Sequence, residues 1–293
     1  MPKANGMFDI VTGAKRSGTS MMMYLLREAG IPIGGFKFPI RPETKNGSVD
    51  QILDRGCDFL SDNHIQQQTE FTRHNINGYW EYPSICGEGL EVQHRFYDGT
   101  TIKVFAHALP NCHDALVDRV IYMIRNPRKV LRSRIQLGEL AEDSDLLRLQ
   151  ALKMRQEKVR AIQWLHHREL QRQAKQASEG TAADHSNDNS LPSFKIVIYE
   201  KLLNDPEGVL GSLLSWIGRG ELSWAIKAVD THQDRSKELG FSSPQMKSLM
   251  EVYEHLSENN LAPVLDQETS AIEHEIKVLL RQHLIEAGIC PHD

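Results

Sequence analysis

Residues 13–20 read Gly-Ala-Lys-Arg-Ser-Gly-Thr-Ser and bring glycines, hydroxyls and two adjacent cations together. They follow the apolar run Phe8 to Thr12 and precede a helical pattern that starts at Ser20. Glycine lets the backbone approach a ligand closely, and the first N–H groups of a helix attract anions. The stretch therefore predicts a phosphate-binding loop. A plain glycine turn with solvated charges is the alternative.

The loop has the spacing of a P-loop, but Thr19 occupies the position of the usual lysine. Kinases and nucleoside triphosphatases use that lysine and Mg²⁺ against the high charge of a transferring phosphoryl group. A sulfuryl group carries about one negative charge fewer, so cationic side chains can serve it without a metal. Lys15 and Arg16 supply such charge, and we expect no metal site.

A second cationic motif starts at Arg125, directly after the apolar run Arg119 to Ile124. Pro127 suits the first turn of a helix. Ser133 then lies about two turns into that helix, where its hydroxyl and the Arg125 guanidinium can share an anion. An ordinary helix start with a basic face is the alternative.

Together the two motifs resemble those of the PAPS-dependent sulfotransferases, in the style of the bacterial members. The run from Arg16 to Ser20 is similar to the family's 5'-phosphosulfate loop, and Arg125 with Ser133 is similar to its 3'-phosphate motif. The resemblance implies PAPS as the donor, PAP as the product and Arg16 as the catalytic cation. The donor-binding residues it implies in these motifs are Lys15, Arg16, Ser17, Gly18, Thr19, Ser20, Arg125 and Ser133.

Two further residues are carried over on weaker matches. Tyr199 opens Tyr-Glu-Lys-Leu, which resembles the family's Tyr-Glu-Asp-Leu run and implies a tyrosine near the nucleotide base, although Lys201 departs from the pattern. Arg235 stands where many members contribute a C-terminal phosphate-binding segment, but the glycine-rich form of that segment is absent.

Two residues are candidates for the base that removes the acceptor proton. His107 follows the run Thr101 to Phe105 and precedes Ala-Leu-Pro, which resembles the segment of the catalytic histidine in cytosolic sulfotransferases. An imidazole exchanges protons near neutral pH. Glu81 lies in Gly-Tyr-Trp-Glu, which resembles an element of bacterial members. The sequence favours His107 slightly; a surface position for either is the alternative.

Four short apolar runs alternate with helical patterns, which predicts a three-layer, P-loop-like α/β fold with a mostly parallel central sheet flanked by helices. The runs are Phe8 to Thr12, Thr101 to Phe105, Arg119 to Ile124 and Phe194 to Ile198. Arg16, His107, Arg125 and Tyr199 each follow a different run. Ligands bind at the carboxyl edge of such sheets, so we expect these four residues to meet there.

The remaining segments predict one domain over residues 1–293. Residues 34–99 are expected to form a helical insertion or lid over the acceptor, and residues 178–193 a mobile loop. Residues 138–177 predict one or two long helices, and three more helices are expected at Pro206 to Ile217, Pro244 to Ser257 and Glu268 to Ala287.

Composition limits the partners. A net charge of -5 argues against nucleic-acid binding. No run of about 18 apolar residues is present, and the start lacks a signal pattern, so we expect a cytoplasmic protein without a transmembrane segment. Four scattered cysteines fit reduced thiols.

The sequence therefore predicts a sulfotransferase that moves a sulfuryl group from PAPS to a hydroxyl or amine of a small-molecule, glycan or lipid acceptor. A P-loop kinase or nucleoside triphosphatase of unusual sequence and a non-catalytic nucleotide-binding scaffold are the alternatives. Acceptor identity is open, and so is a homo-oligomeric state.

Overall fold

The structure is a computed structural model that describes residues 7–34, 83–89, 100–178, 193–229 and 237–286. Within them four strands form one parallel sheet, namely β1 Phe8–Gly13, β2 Thr101–Phe105, β3 Val117–Ile124 and β4 Phe194–Ile198. Their order across the sheet is β2-β1-β3-β4, so β1 lies between β2 and β3. All four predicted strands are present.

Ten α-helices lie in the described ranges: α1 Thr19–Glu28, α2 Pro83–Glu88, α3 Pro127–Gln136, α4 Ser144–Ser178, α5 Tyr199–Asn204, α6 Pro206–Ile217, α7 Leu222–Lys227, α8 Pro244–Ser257, α9 Ala262–Leu265 and α10 Thr269–Glu286. The charged stretch after residue 138 forms one long helix rather than two. In the part of the chain that the structure describes, no helix combines the length and apolar character needed to cross a membrane.

The helices pack on both faces of the sheet and make the three layers that the sequence predicts. On one face Ile10, Ile102 and Tyr122 are buried against α4, α8 and α10. On the other face Val11 and Met123 are buried against α1 and α6. A parallel sheet covered on both faces requires nearly continuous apolar strands, which explains why the four strands could be predicted from the sequence. The predicted α/β fold class is confirmed.

Helix starts follow local capping chemistry. The Asn126 side chain accepts a hydrogen bond from the Arg128 N–H, and Pro127 occupies the first turn of α3. Asp205 caps α6 and Ser243 caps α8 in the same way, each directly before a proline. Side-chain caps satisfy N–H groups that have no acceptor within the helix. These caps fix the starts of α3, α6 and α8 where the sequence placed them.

β1 extends one residue further than predicted, to Gly13, and β3 starts earlier than predicted. β3 begins at Val117 instead of Arg119, because Asp118 remains in the strand despite its charge. The Arg119 guanidinium lies over the Trp216 ring and donates a hydrogen bond to the Ile217 carbonyl at the end of α6. These contacts accommodate the charge of Arg119 at the amino end of β3, at the edge of the sheet opposite the predicted site.

Two predicted segments fall largely outside the described residues. Of the expected lid, residues 34–99, only residue 34 and residues 83–89 are described, and the latter include α2. Of the expected mobile loop, residues 178–193, only the two terminal residues are described. Both interpretations stay predictions.

Candidate nucleotide site

The carboxyl ends of all four strands lie at one edge of the sheet because the strands are parallel. The loop after β1 leads into α1, His107 follows β2, Arg125 follows β3 and Tyr199 follows β4. This is the edge at which open α/β sheets bind ligands. The fold therefore brings together four residues that are far apart in sequence.

The loop between β1 and α1 is a tight turn. The Ser17 N–H donates to the Ala14 carbonyl at 3.1 Å, and Arg16 has a φ of 71°, in the left-handed region. Gly18 precedes α1 with a φ of 95° and no side chain caps the helix. Since no acidic residue stands in the first turn of this ten-residue helix, its N–H groups and dipole are available to an anion.

Two glycines of the loop are required by close packing. A Cβ atom on Gly13 would lie 2.5 Å from the Met123 carbonyl oxygen, which shows how tightly the loop begins against β3. A Cβ atom on Gly18 would lie 2.4 Å from Cδ2 of Tyr199. The ring of Tyr199 thus rests directly on the loop backbone.

Arg125 and Ser133 join the loop to β3 and α3. The Arg16 Nε donates a hydrogen bond to the Ser133 Oγ at 3.3 Å. One Arg125 Nη donates to the Arg16 carbonyl at 3.2 Å. Arg125 and Ser133 are both buried. The two anion motifs of the sequence are therefore one continuous group of donors.

Tyr199 lies beneath this group and is 4% exposed. The Cζ of Arg125 is 4.4 Å from the centroid of the Tyr199 ring, a close cation–π contact. The same ring packs on Gly18. Tyr199 therefore holds the Arg125 guanidinium and the loop backbone in fixed positions relative to each other.

The opposite side of the loop faces β2. The Lys15 Nζ lies 5.4 Å from the centroid of the Phe105 ring, and that ring stacks on the His107 imidazole with centroids 5.9 Å apart. Lys15 and His107 are both exposed. Lys15 and His107 thus both contact Phe105, the last residue of β2.

Two further residues of this region, Lys103 and Glu157, were not predicted from the sequence. Lys103 is a buried lysine in the middle of β2, and its Nζ donates to the Ser20 Oγ at 3.0 Å. A lysine inside the apolar run TIKVF was the signal that could have found it. Glu157 lies on α4, where one acid among many charges gave no signal.

Glu157 has an altered acidity because of its surroundings. Burial raises the pKa of its carboxyl group, and the charges of His107, Lys158, Arg134 and Lys15 partly offset that rise. His107 and Lys15, which both contact Phe105, are thus among the charges that act on this carboxyl group.

Another acid, Glu200, connects the site to the helical layer. Its carboxylate accepts hydrogen bonds from the Asn126 N–H at 2.9 Å and from the Tyr253 hydroxyl at 3.1 Å. Burial lowers the pKa of the neighbouring Lys158 to about 8, an effect that Glu157 and Glu200 partly offset. This network fixes the residue that directly follows Arg125.

Glu81 and Arg235 lie outside the described residues. Two roles therefore stay predictions: Glu81 as an alternative base and Arg235 as a phosphate ligand. The individual roles of the other site residues stay predictions as well, although the fold brings them to one edge.

Comparison with solved structures finds sulfotransferases among the similar folds. The chain matches no family model and no curated protein sequence. Among solved structures, it is similar to the sulfotransferase domain of the Synechococcus PCC 7002 olefin synthase, at 14% identity and a TM-score of 0.43 over 88% of this chain and 98% of that one. It is also similar to the sulfotransferase domain from the curacin biosynthetic pathway, at 13% identity and a TM-score of 0.43 over 87% and 99% of the two chains.

A third similar structure is a sulfotransferase from Mycobacterium tuberculosis H37Rv, at 13% identity and a TM-score of 0.38 over 85% of this chain and 77% of that one. All three structures carry the name sulfotransferase. Such low identities and TM-scores assign no activity. The function of this chain therefore rests on the chemistry of its own residues.

The positively charged and hydroxyl groups at this edge suit an anionic ligand. The first N–H groups of α1 and the cations Lys15, Arg16 and Arg125 carry positive charge, and hydroxyls stand at Ser17 and Ser20. The Ser17 hydroxyl is buried and makes no hydrogen bond within the described residues. A buried polar atom of this kind favours a further partner at the loop.

Proposed function

We propose that this chain is a sulfotransferase that uses PAPS as donor and a hydroxyl or amine of a small molecule as acceptor. One observation carries the proposal: the Arg16 Nε of the loop lies 3.3 Å from the Ser133 Oγ, a contact that supports one anion site built from both motifs. A nucleotide with phosphates at both its 5' and 3' positions would use both halves. A kinase would need only the loop.

The charge of the loop supports sulfuryl rather than phosphoryl transfer. Thr19 stands where a P-loop kinase has lysine and is itself buried. The positive charge comes instead from Lys15, Arg16 and the buried Lys103 behind Ser20. Preorganised donors of this kind stabilise charge that develops as a reaction proceeds. PAPS, when bound, supplies the sulfuryl group and a leaving phosphate.

The proton of the acceptor would pass to His107. In the proposed transfer a bond forms between the acceptor oxygen or nitrogen and sulfur, the bond from sulfur to the 5'-phosphate oxygen breaks, and its electron pair stays on that oxygen. The exposed His107 imidazole stacks on Phe105 beside the loop, so it can receive the acceptor proton there. The Glu157 carboxyl group is close enough to the imidazole for their charges to interact.

Calorimetric titration with PAP in the presence of EDTA tests the proposal. We expect a single site with micromolar or tighter affinity, and at least tenfold weaker binding of 5'-AMP, because AMP lacks the 3'-phosphate. ATP with Mg²⁺ serves as the comparison ligand. Absence of PAP binding, or tighter binding of ATP with Mg²⁺ than of PAP, would overturn the proposal in favour of a kinase or an unrelated site.

A further inference from the structure

The segments that leave β3 and β4 run side by side at the carboxyl edge of the sheet. The two strands are parallel neighbours, and their last residues, Ile124 and Ile198, are paired in register. Arg125 and Tyr199 are the next residues of the two segments, and the Arg125 Cζ lies 4.4 Å from the centroid of the Tyr199 ring. The register of the strands thus continues into the site, one residue against one residue.

The carboxylate of Glu200 makes the next contact between the two segments. Its Oε1 accepts a hydrogen bond from the Asn126 N–H at 2.9 Å. Its Oε2 accepts a hydrogen bond from the hydroxyl of Tyr253, on α8, at 3.1 Å. Each carboxylate oxygen therefore has its own donor, and Glu200 ties the segment after β3 to the helical layer.

Asn126 passes this restraint on to α3. Besides the N–H that Glu200 accepts, its Oδ1 accepts a hydrogen bond from the Arg128 N–H and caps the helix. Its Nδ2 donates to the Glu238 Oε1 at 2.9 Å. Asn126 is fixed through three polar groups, and it stands between the two residues of the second anion motif. Its position therefore sets where Ser133, further along α3, lies relative to the end of β3.

We propose that Glu200 is a positioning residue for the 3'-phosphate of the donor, which acts through Asn126 by holding Arg125 and Ser133 in register with each other. This assignment rests on the proposed function and deepens it. A guanidinium and a hydroxyl bind one phosphate strongly only when both hydrogen bonds are well aligned. Because Glu200 contacts the backbone between the two groups, its reach decides that alignment, and its charge does not.

Two conservative substitutions separate the reach of Glu200 from its charge. Glu200→Gln keeps the length and an oxygen acceptor, whereas Glu200→Asp keeps the charge and is one methylene group shorter. Calorimetric titration should show nearly unchanged PAP binding for Glu200→Gln. It should show about tenfold weaker PAP binding for Glu200→Asp and Glu200→Ala, because the Asn126 N–H loses its acceptor. Binding of 5'-AMP should be unchanged in all three variants, since it has no 3'-phosphate.

Glu251→Ala is the matched control because Glu251 is an exposed acid on α8, the helix of Tyr253. It should leave both affinities unchanged, and an equal loss of PAP affinity there would overturn the assignment. If Glu200→Ala does not fold, the two conservative variants carry the test alone.

Two other results would overturn the role of Glu200 while the proposed function stands. One is normal PAP binding by Glu200→Asp with weak binding by Glu200→Gln, because charge and not reach would then matter. The other is an equal loss of PAP and 5'-AMP affinity, which indicates a general structural role. Failure of the unaltered chain to bind PAP would instead overturn the proposed function, and this role with it.

Discussion

Replacing Gly18 with alanine should destabilise the fold through the contact of the loop with Tyr199. The new Cβ would lie 2.4 Å from Cδ2 and 2.9 Å from Cε2 of the ring, distances that force the ring or the loop to move. Such overpacking costs about 1–3 kcal/mol. The φ of 95° adds about 1–2 kcal/mol for a residue with a side chain. We expect a loss of about 3 kcal/mol in all.

Gly30→Ala is the matched control for this substitution. Gly30 also has a positive φ, 81°, but a Cβ there would meet nothing within 4 Å. Its substitution should therefore cost only the backbone part, about 1–2 kcal/mol. Equilibrium urea unfolding followed by circular dichroism measures both values. The difference of about 2 kcal/mol isolates the overlap with the ring.

A double-mutant cycle then assigns that difference to one contact. In a Tyr199→Ala background the ring is gone, so Gly18→Ala should cost no more than Gly30→Ala. The reasoning is refuted if Gly18→Ala and Gly30→Ala cost the same in the unaltered chain. It is equally refuted if the cost of Gly18→Ala persists after Tyr199 is removed.

Three further substitutions test other contacts. Lys103→Met should weaken PAP binding about tenfold, because the Ser20 hydroxyl loses the ammonium group that holds it. Lys195→Met, which removes a lysine bonded to Ser212, is the control in the same calorimetric titration. An equal loss of PAP affinity in the control would contradict the prediction. Glu157→Gln should tighten PAP binding a few-fold at pH 8, where it removes a negative charge near the loop. The gain should vanish at low pH, because the carboxyl group of raised pKa takes up a proton in the unaltered chain. Weaker PAP binding by the variant at pH 8 would argue against a position of Glu157 near the loop. Glu169→Gln should cost about 3 kcal/mol at neutral pH, since hydrogen bonds from Arg172 and the Ser193 N–H outweigh burial and lower the pKa of Glu169 to about 2. The folded-state pKa is depressed, so this contribution is present above about pH 4.5 and is lost as the pH falls toward 2; urea unfolding against pH measures it, and a cost independent of pH would refute it.

Local chemistry explains what could be predicted from the sequence. The strands were visible because a parallel sheet buried on both faces needs uninterrupted apolar runs. The helices from Pro206 and Pro244 were visible because a capping side chain and a proline mark their starts. The edge at which His107 and Arg125 meet followed from the alternation of strands and helices.

Contacts between distant segments could not be predicted in this way. The Tyr199 ring packs on Gly18, which lies 181 positions away in the sequence, and no local pattern encodes this contact. Lys15 contacts Phe105, and Arg16 contacts Ser133. The spacing of the two cations in the sequence predicts neither contact. Glu157 likewise reaches the site only because α4 packs beside the segment that follows β2.

A crystal structure of the complex with PAP tests the central claim most directly. We expect the 5'-phosphate at the N–H groups that begin α1, and the 3'-phosphate within hydrogen-bond distance of Arg125 and Ser133. Lys15 and His107 should then lie on the 5' side of the nucleotide. A nucleotide bound away from this edge, or one whose 3'-phosphate contacts neither Arg125 nor Ser133, would contradict the account.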